Sequence, residues 1–333
     1  LERNEKRDEN VETYKKQIIS IDEKDRLMQK YADKLLFERK ADINGCCIRI
    51  WTDRDDWKRM WEDNWYFMSE SVKSHGRLIA ISTGGKRPIV KYDPLSCSAF
   101  LFDCDYYGWV KSIALALAGD ILEDNHDYHS IHGALIDYDG KGVSIIGPPG
   151  TGKTTLSYGL LRYRGVKLVT DDWYFFRLVG GAAEAYASEK NSYIRADLAV
   201  AWPEYKDLYS ITQFDKKGRS IIDVKRVLGK GNIKKTTEVR YVILLRREKG
   251  KDILKKLKAA EAVAYMEKHD HCNPHLLQNN AWKKKIRRRA LMEMFKNAEV
   301  YLLNTIETPE GTLGRICDLV GVKKVKRTIT IKQ

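Results

Sequence analysis

Only 7 of the 333 residues are proline and no low-complexity tract is present, which excludes long disordered or polyproline stretches. No apolar run reaches the roughly 18–20 residues that cross a bilayer. The longest candidate, 109–122, is interrupted by Lys111, Ser112, Gly119 and Asp120 and reads as a helix with a buried face. The chain opens on charged residues after Leu1 with no apolar leader, so no signal peptide, no membrane partner and a cytoplasmic location are expected. Cysteine pairs of the zinc-binding CxxC type are also missing among Cys46, Cys47, Cys97, Cys104, Cys272 and Cys317. Cys46 and Cys47, adjacent on a candidate strand, would point to opposite faces and could not share a tetrahedral metal. Free buried thiols in a reducing compartment are the expected state.

What is present is charge of one sign in excess. Lys and Arg number 60 against 46 Asp and Glu, a formal net charge of +14. Such a balance favours anionic partners: a nucleotide, a phosphorylated substrate, an acidic protein surface or RNA. A hydrophobic share of 43% beside 32% charged residues is ordinary for a globular protein of one large or two modest domains.

Four segments are expected. Residues 1–40 space Val11, Tyr14, Ile18, Ile21, Met28 and Leu35 at helical intervals, which predicts an amphipathic helix. It would either dock on its own domain or form a short coiled coil that makes a homo-oligomer. Residues 41–124 read as a small α/β unit. A strand over 46–51 leads to a helix capped by Asp53 or Asp55, whose Trp57, Trp61 and Trp65 form one stripe. Strands over 77–82, 88–92 and 99–103 follow, then the helix over 109–122. Residues 125–322 carry the chemistry, and 323–333 form a basic tail with a possible edge strand.

The segment Gly147-Pro148-Pro149-Gly150-Thr151-Gly152-Lys153-Thr154 satisfies GxxxxGK[ST] in full. A β-rich run, 142–146, enters it, and an amphipathic helix beginning Lys153-Thr154-Thr155 leaves it. The glycines let backbone N–H groups converge on phosphates at a helix N-terminus. Lys153 would reach the β- and γ-phosphates of ATP, and the Thr154 hydroxyl would ligate Mg2+. Upstream, 132–146 holds two β-rich runs joined by Asp-Tyr-Asp-Gly-Lys-Gly, a hairpin signal. Downstream, 166–172 is a short strand ending in Asp171-Asp172. Helix, turn and strand back is a compact route that sets both carboxylates at the strand's C-terminal edge beside the loop. One carboxylate can hold the metal while the other takes a proton from an attacking hydroxyl. An AAA+ assignment is excluded because that family places its acidic strand much farther from the loop.

These residues together resemble the HPr kinase/phosphorylase group, whose C-terminal domain is related to phosphoenolpyruvate carboxykinase. The signature is His132-Gly133 opening the hairpin, the Gly-x-Gly-Val turn over 140–143, the P-loop, a short helix and a strand ending in Asp171-Asp172. It covers about residues 129–175. The resemblance implies a mixed-sheet, carboxykinase-like P-loop kinase domain behind a small α/β domain. It also implies that His132 approaches the nucleotide phosphates, that the Asp pair supplies base and metal functions, and that the acceptor is a serine hydroxyl. The loop departs from the family at Pro149 and Thr154. The family's Glu-x-Arg-Gly has as its nearest counterpart a segment that keeps Arg195 and has Tyr193 in place of the acid.

Arg195 would either neutralise charge on the transferred phosphoryl group or sit in a surface salt bridge. The Gly/Lys-rich stretch 214–235 suits a substrate loop or a solvated basic loop. The run 282–289, Trp-Lys-Lys-Lys-Ile-Arg-Arg-Arg, is the densest basic patch and must expose some of its cations if helical. The sequence thus leads to an ATP- and Mg2+-dependent kinase acting on a hydroxyl of a protein, peptide or small molecule. An RNA kinase using the basic surface, and an ATPase or switch with no acceptor, are the alternatives.

Overall fold

The computed structural model describes residues 14–208 and 218–329. The first half builds a seven-stranded sheet. Its elements are β1 (Lys15–Ile18), α1 (Ile21–Lys30), β2 (Phe37–Ile43), β3 (Cys46–Thr52), α2 (Asp55–Asn64), β4 (Tyr66–Phe67), β5 (Gly76–Ile81), β6 (Ile89–Asp93), β7 (Ser98–Phe102) and α3 (Tyr107–His126). Strand order is β1-β6-β7-β5-β3-β2-β4. Asn44 and Gly45, at φ 51° and 81°, make the tight turn that joins β2 to β3. The Trp57, Trp61 and Trp65 stripe is core, each ring at most 2% exposed and packed with α3.

The single helix expected over 1–40 does not form in the described part of that segment. β1 pairs in parallel with β6, and Ile19 N–H donates to Tyr92 O at 2.9 Å. The Ser20 side chain then accepts from Glu23 N–H at 3.2 Å and starts a ten-residue helix, α1. Leu27 and Met28 of α1 pack on Ile79, Ile81, Phe100 and Phe102, so this helix docks on its own sheet. Helical spacing misled because a strand, a cap and a short helix happened to keep the same apolar intervals; Val11 lies outside the described residues. Neither Asp53 nor Asp55 caps α2, whose N-cap is Arg54. Asp53 instead accepts from Ser82 N–H at 2.8 Å.

α3 lies between the two halves and is buried on every side, as a helix apolar all round should be. It packs on β3, β5 and β7 of the first sheet and on β8 (His129–Tyr138) of the second. A Cβ on Gly119 would lie 2.2 Å from Ser130 Oγ and 3.3 Å from a Phe175 ring carbon, so this glycine sets the approach of α3 to β8.

The second sheet continues with β9 (Lys141–Ile146), then α4 (Lys153–Leu160), β10 (Val166–Thr170), β11 (Trp173–Val179) and β12 (Ala182–Ala187). β13 (Ser192–Arg195) and β14 (Arg219–Ile222) form a separate ribbon. Next come β15 (Thr236–Arg246), β16 (Leu254–Lys256), α5 (Ala259–Lys268), α6 (Ala281–Lys296), β17 (Glu299–Asn304) and α7 (Pro309–Val320). β8 and β9 are the expected antiparallel hairpin. β9 also runs parallel to β15, and β15 parallel to β17. β10 and β11 lie end to end along the other edge of β8, both antiparallel to it. The result is a mixed sheet in an α/β fold, with the P-loop at the C-terminal end of β9. In the described part of the tail, the expected edge strand is reduced to one antiparallel bridge, Lys326 to Tyr163.

Candidate functional site

The loop from Gly147 to Thr155 is held by its own backbone. At Gly147 a Cβ would lie 2.7 Å from Thr151 Oγ1 and 2.8 Å from Leu245 Cβ, so no side chain fits. Thr151 Oγ1 donates to Pro148 O at 2.8 Å, and Gly150 and Gly152 take φ of 81° and 97°, open to glycine without strain. α4 starts at Lys153 with no acidic residue in its first turn, leaving its N-terminal field to an anion. Lys153 Nζ donates to Gly147 O at 2.8 Å; burial lowers its pKa, against the pull of Asp172. Thr154 and Thr155 complete the first turn, and Thr155 O accepts from Trp202 Nε1 at 2.6 Å.

Asp171 and Asp172 fill the gap between β10 and β11, opposite Gly133 and Ala134 of β8. Gly133 is required there because a Cβ would meet Ile145 O at 2.7 Å. The two carboxylates live in opposite environments. Asp171 is 4% exposed and takes a hydrogen bond from Ser157 Oγ of α4 at 3.0 Å. Its Oδ2 is buried with no hydrogen-bond partner. Burial, with Asp172 adding to it, pushes the Asp171 carboxyl up to about 7. Asp172 meets Lys111 Nζ at 2.5 Å and His132 Nε2 at 3.1 Å. Burial opposes its charge, but the Lys111 ammonium and the His132 contact hold it well below the usual carboxylate range. One edge of Asp172 stays accessible, with 31% of the side chain exposed.

His132 is fixed from both sides. Its Nδ1 lies 2.9 Å from Cys272 O and its Nε2 faces Asp172, so a doubly protonated ring would donate to both. The carbonyl of Cys272 reaches it from a turn in which Asp270, His271 and Cys272 all have positive φ, between 48° and 56°. Three successive non-glycine residues in that region are strained, which is characteristic of functional sites. His275 lies behind, its ring 6.0 Å from His132, and burial lowers its pKa to about 3. Tyr14 OH, 2.5 Å from His275 Nδ1, brings the start of the first half into this shell.

Lys111 and Glu189 were not anticipated from the sequence. Lys111 projects from α3 with 1% of its side chain exposed, and both Glu189 carboxylate oxygens lie 3.2 Å from its Nζ. The available signal was a lysine in the N-terminal, largely apolar half of a helix, since a charge buried there demands a partner. Among the described residues no hydrogen bond or ion pair joins Arg195 to Asp171 or Asp172. It sits exposed at the end of β13, 3.4 Å from Asp197, which matches the salt-bridge alternative. The basic run divides on α6. Lys283 and Arg287 are buried against Asp120, Glu123 and Asp124 of α3, and Arg288 pairs with Glu267. Among the described residues no helix is long and apolar enough to cross a membrane, and no group of three His, Cys, Asp or Glu stands ready for a metal. All six cysteines are free, Cys97 alone being only half-buried.

A phosphate-type loop at the end of a mixed-sheet strand, with two carboxylates under its helix, defines an α/β P-loop protein. Comparison with known proteins narrows this further. No model of a known protein family matches the chain. It is 32% identical over 116 residues to the HPr kinase/phosphorylase of Lactobacillus johnsonii, covering 35% of this chain and 30% of that one. To the HPr kinase/phosphorylase of Chlorobium luteolum it is 30% identical over 134 residues, covering 40% and 35%. The chain therefore spans about a third of the length of the curated relatives it matches. Among solved structures, the Hpr(Ser) kinase/phosphatase of Coxiella burnetii aligns with a TM-score of 0.35 and 17% identity, over 58% of this chain and 98% of that one. The sequence matches agree with the motif reading: over 35–40% of its length the chain is similar, at a distance, to HPr kinase/phosphorylases.

Proposed function

We propose that this chain is a Mg2+-dependent kinase that moves the γ-phosphate of ATP to a serine-type hydroxyl of a protein, peptide or small molecule. The observation that carries the reading is the splitting of the two aspartates, Asp171 raised to about 7 and Asp172 held ionised by Lys111 and His132. Two adjacent carboxylates pushed apart in this way have different tasks. Asp171, half-deprotonated near neutral pH, is the group that accepts the proton of the attacking hydroxyl. Asp172 stays anionic with an accessible edge.

Magnesium fits these residues. The accessible edge of Asp172 and the Thr154 hydroxyl offer oxygen ligands, too few for a free-standing site but suited to a metal that arrives with nucleotide phosphates, while the buried Oδ2 of Asp171 is left free to take a proton. When bound it would neutralise charge between the β- and γ-phosphates. The loop amides and Lys153 hold the phosphates, and His132, aimed by Cys272 O, stands against Asp172 at 3.1 Å. Burial of Lys283 and Arg287 removes part of the surface on which an RNA acceptor would rest, which supports the protein, peptide or small-molecule reading. The HPr named for the relatives is one candidate acceptor, although Tyr193 stands where their acid would be.

The test is incubation with γ-labelled ATP and separated cell fractions of protein, RNA and small molecules. Label should enter the protein or small-molecule fraction with the native chain and with no fraction when Lys153→Ala is used. Equal labelling by the Lys153→Ala chain would remove the P-loop from the reaction and the proposal with it.

A further inference from the structure

A cavity of about 620 Å³ lies between the edge of the first sheet and the 224–236 segment, within the range of small-ligand sites. Five lysines line it: Lys190, Lys225, Lys230, Lys234 and Lys235. Three of them converge on one ring. The ammonium groups of Lys225, Lys190 and Lys235 stand 5.3, 5.8 and 5.9 Å from the centroid of Tyr66, and Lys225 Nζ is 2.9 Å from its hydroxyl.

Such crowding needs a reason. Cation–π contacts offset only part of the repulsion among three like charges around one ring. Some exposed lysines elsewhere find carboxylates, as Lys255 does with Glu261 and Lys256 with Glu299, and others stand alone in solvent, but they are not gathered in one cavity. Here only Lys234 has one, Asp137 at 2.7 Å; among the described residues the other four have no carboxylate within ion-pair distance. The two acids of the lining are already engaged, Asp42 by Gly45 N–H and Glu189 by Lys111 and Asn64. No residue of the P-loop lines the cavity, so these lysines are not part of the nucleotide cradle.

We propose that this cavity is a second anion site, taking a small molecule that carries phosphoryl groups. Lysines without any arginine act as mobile point charges, which suit a tetrahedral phosphoryl group better than a planar carboxylate. The site adjoins the carboxylate cluster through one wall. Glu189 lines the cavity and lies 3.2 Å from Lys111, which is itself 2.5 Å from Asp172. The assignment stands apart from the kinase reading, because it predicts binding and requires no phosphotransfer.

The experiment is calorimetric titration of inorganic pyrophosphate, without magnesium, into the full chain carrying Lys153→Ala, which disables the P-loop. One-site binding should persist in that background. Adding Lys225→Gln and Lys235→Gln should weaken it at least tenfold, while the same pair of changes in the otherwise native chain leaves ATP affinity within about twofold. Both side chains reach solvent, so the fold should survive, and an unchanged melting temperature checks this. Loss of all pyrophosphate binding with Lys153→Ala alone would overturn the proposal, as would indifference to the lysine pair. Tighter binding of citrate than of pyrophosphate would overturn the phosphoryl assignment.

Discussion

At the scale of single residues, two neighbouring carboxylates are expected to respond to the same substitution with opposite signs. Asp171 has its pKa raised to about 7 by burial and by Asp172. Below the unfolded value near 3.8 both states bind this proton. Between there and about 7 the folded state keeps it and the unfolded chain releases it, so stability falls as pH rises. About three units correspond to roughly 4 kcal/mol. Asp171→Asn, permanently neutral, should therefore be more stable than the native chain at pH 8 by about that amount, with the gap closing towards pH 4. Asp172 is the reverse case, its pKa depressed by Lys111 and His132, so its contribution is present above the unfolded value and lost as pH falls through the folded one. Asp172→Asn leaves the buried Lys111 without its closest partner and should cost about 3 kcal/mol at pH 7. Both changes should lower kinase turnover by about a hundredfold or more. Urea unfolding at pH 4, 6 and 8 reads the stabilities. A loss of stability at pH 8 in both variants would contradict the assignment of Asp171 as the carboxyl that holds a proton.

At the scale of elements, the decisive contact is α3 against β8, because it carries Lys111 to Asp172. Gly119 sets that contact, its absent Cβ leaving room for Ser130 Oγ. Gly119→Ala should cost about 1–3 kcal/mol through overpacking. In a Ser130→Ala background the 2.2 Å clash is gone and only the 3.3 Å approach to Phe175 remains, partly offset by helix propensity, so the same change should cost less than about 1 kcal/mol. An equal cost in both backgrounds, measured by urea unfolding, would mean that Ser130 is not what Gly119 accommodates. This contact also marks the limit of what the sequence could tell. The P-loop, the hairpin before it and the Asp pair were legible because their chemistry is written in consecutive residues joined by short turns. The strands expected over 46–51 and 99–103, observed over 46–52 and 98–102, and the Trp stripe were legible from local apolar runs and helical spacing. Lys111, Glu189, Tyr14 and His275 were not, because two separately formed sheets must pack before these side chains meet. The N-terminal helix failed for a related reason: apolar spacing does not record that β6 is waiting to pair with β1, and two residues of the expected stripe, Ile18 and Ile21, stay exposed while Ile19 is buried.

At the scale of the whole molecule, the question is where the net charge of +14 goes. The basic run on α6 does two things. Lys283 and Arg287 turn inward, where Lys283 Nζ lies 3.0 Å from Asp120 and 2.6 Å from Asp124, and Arg287 grips Glu123 with two nitrogens. These charges tie α6 to α3. Removing one partner of such a buried cluster leaves the other charge uncompensated, so Arg287→Gln should destabilise by about 3 kcal/mol. Lys284, Lys285 and Arg289 point outward and are exposed. Replacing all three with Gln should change stability by less than about 0.5 kcal/mol. They also set a ceiling on RNA binding by this helix. Each phosphate contact on a single strand contributes about −0.7 to the log–log salt slope, so three contacts give about −2. With single-stranded RNA titrated between 50 and 200 mM salt, the triple Gln variant should therefore flatten the slope by no more than about two units while leaving ATP affinity unchanged. A slope of −4 or beyond, abolished by the same three changes, would show that α6 anchors a far larger phosphate footprint, and the acceptor would then be sought among RNAs.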